Sequence, residues 1–425
     1  MRHLSIQGKL LTASAIWSFI SLLILPAMLL SCTEYINISG KVTDLVSGET
    51  VAGVNIYFEH DDNIPVTISE LDGRFSVSIK NHGKNNTRAS LVLTKEGYMD
   101  KTIGITEEVA DLGEIALKPE DQVWKTGKVF RWGAYDGDPE LLVRAATDAG
   151  LNMISVMDRY FTRGDSINYG LIELAEAAEI KVFVIFQTFY NDDATIDESN
   201  SARDLRGDMV RDSWLSFICP NDEVYKSNRL GEIENVVRTV RPHGISMDFF
   251  RYFVYWEAGR DGNRAQTCFC NRCLDKFESV YGVSGDPDQI LSGYPDEWTD
   301  FKCGTINEYA ALIHDRVKKI DPGILLNLHM VPWKQDDYDG AIRKIAAQDI
   351  LILSRYFDFI QPMTYSTMLD ESIEWILDMG ADAGKHVSDT YVIPCIQAAD
   401  ATPENLNIIA RSPLHGYSIW PFERY

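Results

Sequence analysis

From Ile38 to Leu117 apolar and polar positions alternate with the period of two that half-buried strands require. Residues 38–42 and 51–58 read as strands around a turn at Gly48, and Leu71-Asp72-Gly73-Arg74-Phe75 reads as a hairpin turn, because Asp-Gly readily adopts the positive φ such turns need. Residues 90–93 and 112–115 supply further strands. The pattern predicts a small all-β unit over 36–118, followed by a linker over 119–128 that begins Pro119-Glu120-Asp121-Gln122. The period then changes. Strand-like runs at 129–135, 152–158, 181–189, 245–251, 324–330, 357–365, 391–397 and 416–420 alternate with helical stretches at 139–150, 170–178, 223–240, 306–320, 342–349, 372–383 and 403–410. Asp138-Pro139-Glu140 is a helix start, with a capping carboxylate before a first-turn proline. Eight strands with seven intervening helices predict an α/β chain whose main part, 129–425, is a (β/α)8 TIM-type barrel. A doubly wound sheet is the alternative, but no G-x-G-x-x-G follows the first strand. The chain runs out just beyond the eighth strand, so the last helix is expected to be missing or replaced.

The first thirty residues follow a different rule. Arg2, His3 and Lys9 precede an apolar run from Leu10 to Leu30, the layout of a secretory signal. The run ends Leu29-Leu30-Ser31-Cys32, which resembles a bacterial lipobox. That resemblance implies a signal peptide over 1–31, lipidation of Cys32, and a protein exported and lipid-anchored at the periplasmic or surface face of the outer membrane. An ordinary signal or an anchor helix is the alternative, since the run is long enough to span a bilayer. No later segment reaches eighteen apolar residues. In the β unit, the pieces G-K-V-T-D, V-A-G-V, D-G-R-F and G-Y resemble the carboxypeptidase-regulatory-like β-sandwich common at the N-terminus of exported Bacteroidota proteins. It carries no cluster of His, Cys or paired acids, and reads as a spacer in preference to a sugar-binding module.

Composition narrows the partners. Forty basic against sixty-three acidic residues leave a net charge of −23, which speaks against nucleic acid, whose phosphates are held by clustered Lys and Arg. Hydrophobic residues at 45% and aromatics at 11% exclude a disordered chain. A neutral polymer or small molecule suits such a surface better.

Barrel sites form at the C-terminal ends of the strands, which shortens the list of candidates. The fourth strand ends Gly244-Ile245-Ser246-Met247-Asp248-Phe249-Phe250-Arg251-Tyr252. An Asp among apolar strand residues must be paired or lie in the mouth; an Asp248–Arg251 ion pair is the plain structural reading. The pattern G-I-x-x-D-F-x-R-Y resembles a large set of glycoside hydrolase-like (β/α)8 barrels, and Asp358-Phe359-Ile360-Gln361-Pro362-Met363-Thr364-Tyr365 resembles their D-x-I-x-x-M-x-Y sixth strand. The resemblance implies Asp248 as nucleophile or electrostatic stabiliser. The several spaced acids of the chitinase fourth strand are absent, which speaks against substrate-assisted catalysis.

Glycoside hydrolysis needs a second carboxyl. Glu257, in Tyr255-Trp256-Glu257, is the first choice, because an acid beside an aromatic can have a raised pKa. Glu423, Asp158, Asp136 and Asp400 also fall at strand ends. Trp132, Tyr365 and Trp420 are candidate stacking surfaces for sugar rings, and Tyr160, Phe189, Tyr190, Tyr252, Trp256 and Trp333 fall near the same mouth. Gln187, Asn327, His329 and Gln397, with Arg251, are candidate hydrogen-bonding residues for sugar hydroxyls, and a hydrogen-bonded spectator is the alternative for His329.

Cys268-Phe269-Cys270-Asn271-Arg272-Cys273 packs three thiols into six residues, a spacing that suits thiolates converging on one Zn²⁺ better than disulfides. Cys219, in Cys219-Pro220-Asn221, is the candidate fourth ligand. The block resembles the zinc site of family 42 β-galactosidases, while that family's Asn-Glu on the fourth strand is missing. The expectation is a closed structural zinc site that pins residues 253–303 over the active face, with no cofactor for catalysis. Disulfides, with Cys303 and Cys395 as further partners, are the alternative in an exported protein. Three functions follow from these residues: a tethered glycoside hydrolase; a non-catalytic glycan-binding lipoprotein on a hydrolase-like barrel; and a metal-dependent deacetylase or amidohydrolase. The third is disfavoured, because eight histidines occur without H-x-H or H-x-x-x-H.

Overall fold

The computed structural model describes residues 35–59, 65–80, 89–105, 111–129, 137–162, 170–190, 198–212, 214–259 and 262–423. The expected signal over 1–31, Cys32, Trp132 and Asp136 lie outside them.

The chain divides into two units. The first, built from 35–43, Glu49–Leu93 and Thr102–Ala116, carries two small sheets. One places Tyr35–Asp44 between Arg74–Lys80 and Asp111–Leu117, with Ser39 opposite Ser76 in antiparallel register. The other runs in the order Thr67–Ile68, Asn55–Phe58, Ala89–Thr94, Lys101–Ile105. Alternation buries one side of each strand: Ile38, Val77 and Ile115 in the first sheet, Ile56, Leu91 and Leu93 in the second.

The second unit is a parallel barrel. Its strands are Trp124–Val129, Met153–Met157, Lys181–Gln187, Gly244–Asp248, Leu325–Met330, Phe359–Pro362, a seventh in two pieces (Tyr391–Val392 and Cys395–Gln397), and Gly416–Trp420. Pro394 interrupts the seventh strand because it has no N–H to give the ladder. The first piece pairs with the sixth strand and the second with the eighth, which in turn pairs with the first. Between the pieces, Ile393 N donates to Ile360 O at 3.0 Å and Pro394 O accepts from Ser418 N at 2.9 Å. Both edges of the sheet thus belong to one strand, and the sheet closes as a TIM-like barrel.

Several boundaries differ from those the sequence suggests, among them the helix expected at 306–320, which begins at Pro295. The first strand starts at Trp124, inside the segment expected to be linker, so the period-two run Trp124, Thr126, Lys128 belongs to the barrel. The helix expected at 342–349 is instead two short turns, Ala341–Lys344 and Ile350–Leu353, separated where Ala347 takes φ 59°. Helix Pro139–Asp148 begins as expected: the Asp138 carboxylate accepts from Glu140 N at 2.8 Å, and the helix buries Leu142, Val143 and Ala146. Among the described residues no helix is long and apolar enough to cross a membrane.

Register sorts the barrel interior into layers. Trp124, Met153, Phe183, Leu325, Phe359 and Tyr391 form an apolar floor at the strand starts, with Trp124 edge-on to Phe359 at 5.2 Å. Glycine is required there. A Cβ on Gly244 would lie 2.3 Å from the Phe183 ring, and one on Gly416 would lie 1.8 Å from Trp124 O. Above the floor the buried interior turns polar, with Thr126, Ser155, Ser246, Asn327, Gln361 and Ser418. Outside the floor, Lys118 is 3.2 Å from Asp358 and 3.5 Å from Asp389, Lys318 is 3.6 Å from Asp358, and Lys101 is 2.8 Å from Asp389. Burial works to raise the Asp358 pKa, but Lys318, Lys118 and the Leu326 N–H hold it well below the usual carboxylate range.

Candidate active site and metal centre

The fourth strand delivers Asp248 to the barrel mouth, in register with Gln187 on the third. Phe249 then turns the chain sharply with φ 52° and donates its N–H to Asp248 Oδ1 at 2.9 Å. The other oxygen accepts from Lys128 Nζ at 2.9 Å. Asp248 is 7% exposed, and its ion pair is with Lys128, not Arg251. Burial alone would raise the carboxyl pKa. The Lys128 ammonium and the Phe249 N–H outweigh it and bring it down to about 2, so Asp248 is an anion at any working pH.

Glu257 sits in the opposite environment. Burial raises its pKa, Arg251 counteracts in part, and the Asp248 charge adds to the rise. Its Oε2 is buried without a hydrogen-bond partner among the described residues. Arg251 lies within the field of both acids. Its guanidinium is 1% exposed, donates to Val254 O at 2.9 Å, and stacks over Phe217 at 4.9 Å and Phe249 at 5.5 Å. Burial lowers its pKa to about 10 against the pull of Glu257 and Asp248. Asp248, Arg251 and Glu257 therefore share one electrostatic neighbourhood.

Trp256, Tyr365 and Trp420 form an aromatic row beside these acids. Tyr365 stacks on Trp420 at 4.6 Å and is tilted against Trp256 at 5.7 Å. The Tyr365 hydroxyl accepts from Cys395 Sγ at 3.6 Å, and it too feels the charges of Asp248 and Glu257. Asn327 lies opposite Ser246, a layer below Asp248, while His329, two residues on, feels the charges of Asp248 and Lys128. Asn327 and His329 are both at most 2% exposed and both hydrogen-bond to Ser246 Oγ, His329 Nε2 at 3.0 Å. Burial and Lys128 lower the His329 pKa to about 3, so the ring is neutral.

Other strand-end residues have separate tasks. Asp158 pairs with Arg229 at 3.0 Å, and Asp400 accepts from Ser366 Oγ at 2.7 Å and Thr367 Oγ1 at 2.6 Å. Phe189 is core, packed against Phe250 and Tyr309. Lys128 was not among the candidates, although its alternation with Trp124 and Thr126 was there to be read once the strand is started early enough.

The cysteine block converges as its spacing suggests. The sulfurs of Cys219, Cys268, Cys270 and Cys273 all lie within 4.8 Å of one another, and all four are free thiols. Cys219 Sγ is 3.5 Å from Cys270 Sγ and 3.4 Å from Cys273 Sγ, and the last two are 3.7 Å apart. A disulfide would bring two sulfurs to about 2.0 Å. Metal–sulfur bonds of about 2.3 Å in a tetrahedron set the sulfurs about 3.8 Å apart, near the spacing seen here. The surroundings also suit thiolates, since Arg203 N donates to Cys268 Sγ at 3.2 Å and Asn221 Nδ2 to Cys273 Sγ at 3.3 Å. The four cysteines can hold a metal. Cys303 and Cys395 are buried free thiols elsewhere.

No family model matches the chain, and no curated protein does. Among solved structures, the glycoside hydrolase domain of PgaB (BpsB) from Bordetella bronchiseptica superposes with a TM-score of 0.56 at 13% identity, covering 70% of this chain and 94% of that one. Gan42B, a GH42 β-galactosidase from G. stearothermophilus, gives 0.49 at 9% identity over 71% of this chain and 51% of its own. The β-galactosidase of the haloarchaeon Halorubrum lacusprofundi gives 0.48 at 14% identity over 70% and 52%. The chain spans about half of each β-galactosidase. At these identities the likeness is one of fold alone, and the fold shared with the PgaB domain is the barrel.

Proposed function

We propose that this protein is a glycoside hydrolase cleaving a poly- or oligosaccharide at the cell envelope, with Asp248 as the ionised nucleophile or stabiliser and Glu257 as the proton donor. One observation carries the reading. Two carboxyls in the same barrel mouth are driven in opposite directions, Asp248 toward the anion by Lys128 and Glu257 toward the acid by burial. Opposed environments of this kind separate acid from nucleophile in glycoside hydrolysis. Glu257 would protonate the leaving oxygen, while Asp248 would attack the anomeric carbon or stabilise the charge developing there. Tyr365, Trp420 and Trp132 would stack on sugar faces and Gln187 would meet hydroxyls, whereas Arg251, buried and bound to Val254 O, would hold the segment between the two acids. The four cysteines would hold a structural zinc with no open position for substrate, and catalysis would need no cofactor. Cys32 would carry the lipid that tethers the protein, and the 36–118 unit would be a carboxypeptidase-regulatory-like spacer.

The test is sugar release from a glycan panel by the signal-less protein, beside Asp248→Asn and Glu257→Gln, each checked for its melting temperature. Wild type is expected to release sugar, and Glu257→Gln to lose about 10²–10⁴-fold in turnover. Release unaffected by either change would remove both residues from the chemistry. A second reading is favoured by the Lys128–Asp248 pair itself, which occupies the carboxylate at 2.9 Å: a non-catalytic glycan-binding lipoprotein. It predicts no release, with glycan binding retained in both variants.

A further inference from the structure

We propose that the four-cysteine centre positions the catalytic segment Arg251–Glu257 through Asn221 and Tyr252, so that metal loading sets the geometry of the barrel mouth. The inference rests on the reading of Glu257 as the acid. Asn221 stands at the junction. Its Nδ2 donates to Cys273 Sγ at 3.3 Å and to Tyr252 Oη at 3.0 Å, and its Oδ1 accepts from Thr305 Oγ1 at 3.1 Å. One amide therefore ties one of the four clustered cysteines to a residue four positions past Asp248, and the long helix Pro295–Ile320 holds that amide through Thr305. Tyr252 is fully buried; its ring faces Lys302 Nζ at 5.5 Å, and its backbone N–H is bound by Ala346 O at 3.0 Å. The ring is thus held at its hydroxyl, its face and its backbone, and the hydroxyl tie runs to the cysteines.

From Tyr252 the constraint passes along the chain in both directions. Arg251 precedes it, and the Arg251 guanidinium donates forward to Val254 O at 2.9 Å, closing the segment on itself below Glu257. On the far side Tyr255 N binds Asn263 O at 2.9 Å, so the chain returns from Glu257 toward the cysteine block while still paired with the segment. Four thiolates without a cation repel one another, and four thiols bond weakly. In either case the centre loses the rigidity that a tetrahedral metal imposes, and Asn221 loses its fixed point. Asn221 and Tyr252 are positioning residues: neither needs to touch substrate.

The experiment follows amide hydrogen exchange of the 249–258 peptide together with metal content, in the full protein and in Tyr252→Phe and Asn221→Ala. Tyr252→Phe removes only the hydroxyl and keeps the packed ring. It is expected to retain its metal and yet exchange about tenfold faster or more over 249–258, as chelated wild type does. In the hydrolase assay the same variant is expected to lose kcat with KM little changed. The basic limb of its pH profile should move to lower pH, because a loosened Glu257 is less buried and its raised pKa relaxes. Unchanged exchange over 249–258 in chelated wild type and in Tyr252→Phe would overturn the proposal. If wild type hydrolyses nothing, the reading of Glu257 fails while the exchange result still decides the coupling.

Discussion

Lys128 and Asp248 are 120 residues apart in the chain and 2.9 Å apart in the barrel, each nearly buried. Removing one member of a buried pair strands the other charge, at a cost of about 3–5 kcal/mol. Lys128→Met is therefore expected to lower the melting temperature markedly. Its effect on pH dependence has a definite sign. Burial raises the Asp248 pKa and Lys128 lowers it, so without the ammonium the carboxyl protonates at higher pH. The acid limb of kcat/KM should move upward in Lys128→Met, measured over the pH range where the variant stays folded. An unmoved limb would separate Lys128 from the ionisation of Asp248. Asp248 itself was legible, because an acid in an apolar strand has few places to go. Its partner was not, because a lysine in a stretch expected to be linker carries no local signal of pairing.

At the scale of elements, the strand starts are held by Lys118, Lys101 and Lys318 around Asp358 and Asp389. The Asp358 pKa is depressed in the folded state, so its contribution to stability is present in full above the unfolded value, about 3.9, and is lost as the pH falls through the lower folded value. Thermal melts should accordingly show stability beginning to fall at about pH 5 and falling steeply below about pH 4, where the unfolded carboxyl is mostly protonated. Lys118→Met should destabilise the protein at neutral pH and flatten that acid dependence; an identical slope in the variant would remove Lys118 from the linkage. Most elements were readable from periodicity, down to the Asp138 cap. The first strand was misplaced by five residues and the helix at 342–349 did not form. Local pattern does not report that Thr126 must pair with Ser418, nor that Ala347 will take a positive φ.

For the whole molecule, the cysteine centre links residues 219–221 to 268–273 beside the barrel mouth. If it holds structural zinc, metal analysis should find one zinc per chain, and a strong chelator should lower the melting temperature; a zinc-free protein with unchanged stability would leave the thiols as ordinary buried groups. Sequence alone determined the class of architecture, the fourth-strand acid and the convergence of four cysteines. Each of these is written in periodicity or in close spacing, which depend on neighbours along the chain. Only the tertiary structure decided that Asp248 pairs with Lys128 and not Arg251, that Asn327 and His329 lie inside the barrel bonded to Ser246, and that Asn221 joins the cysteines to Tyr252. Those facts depend on barrel closure, which brings residues a hundred positions apart to within a hydrogen bond and sets charge states by burial, and neither follows from the order of residues along a strand.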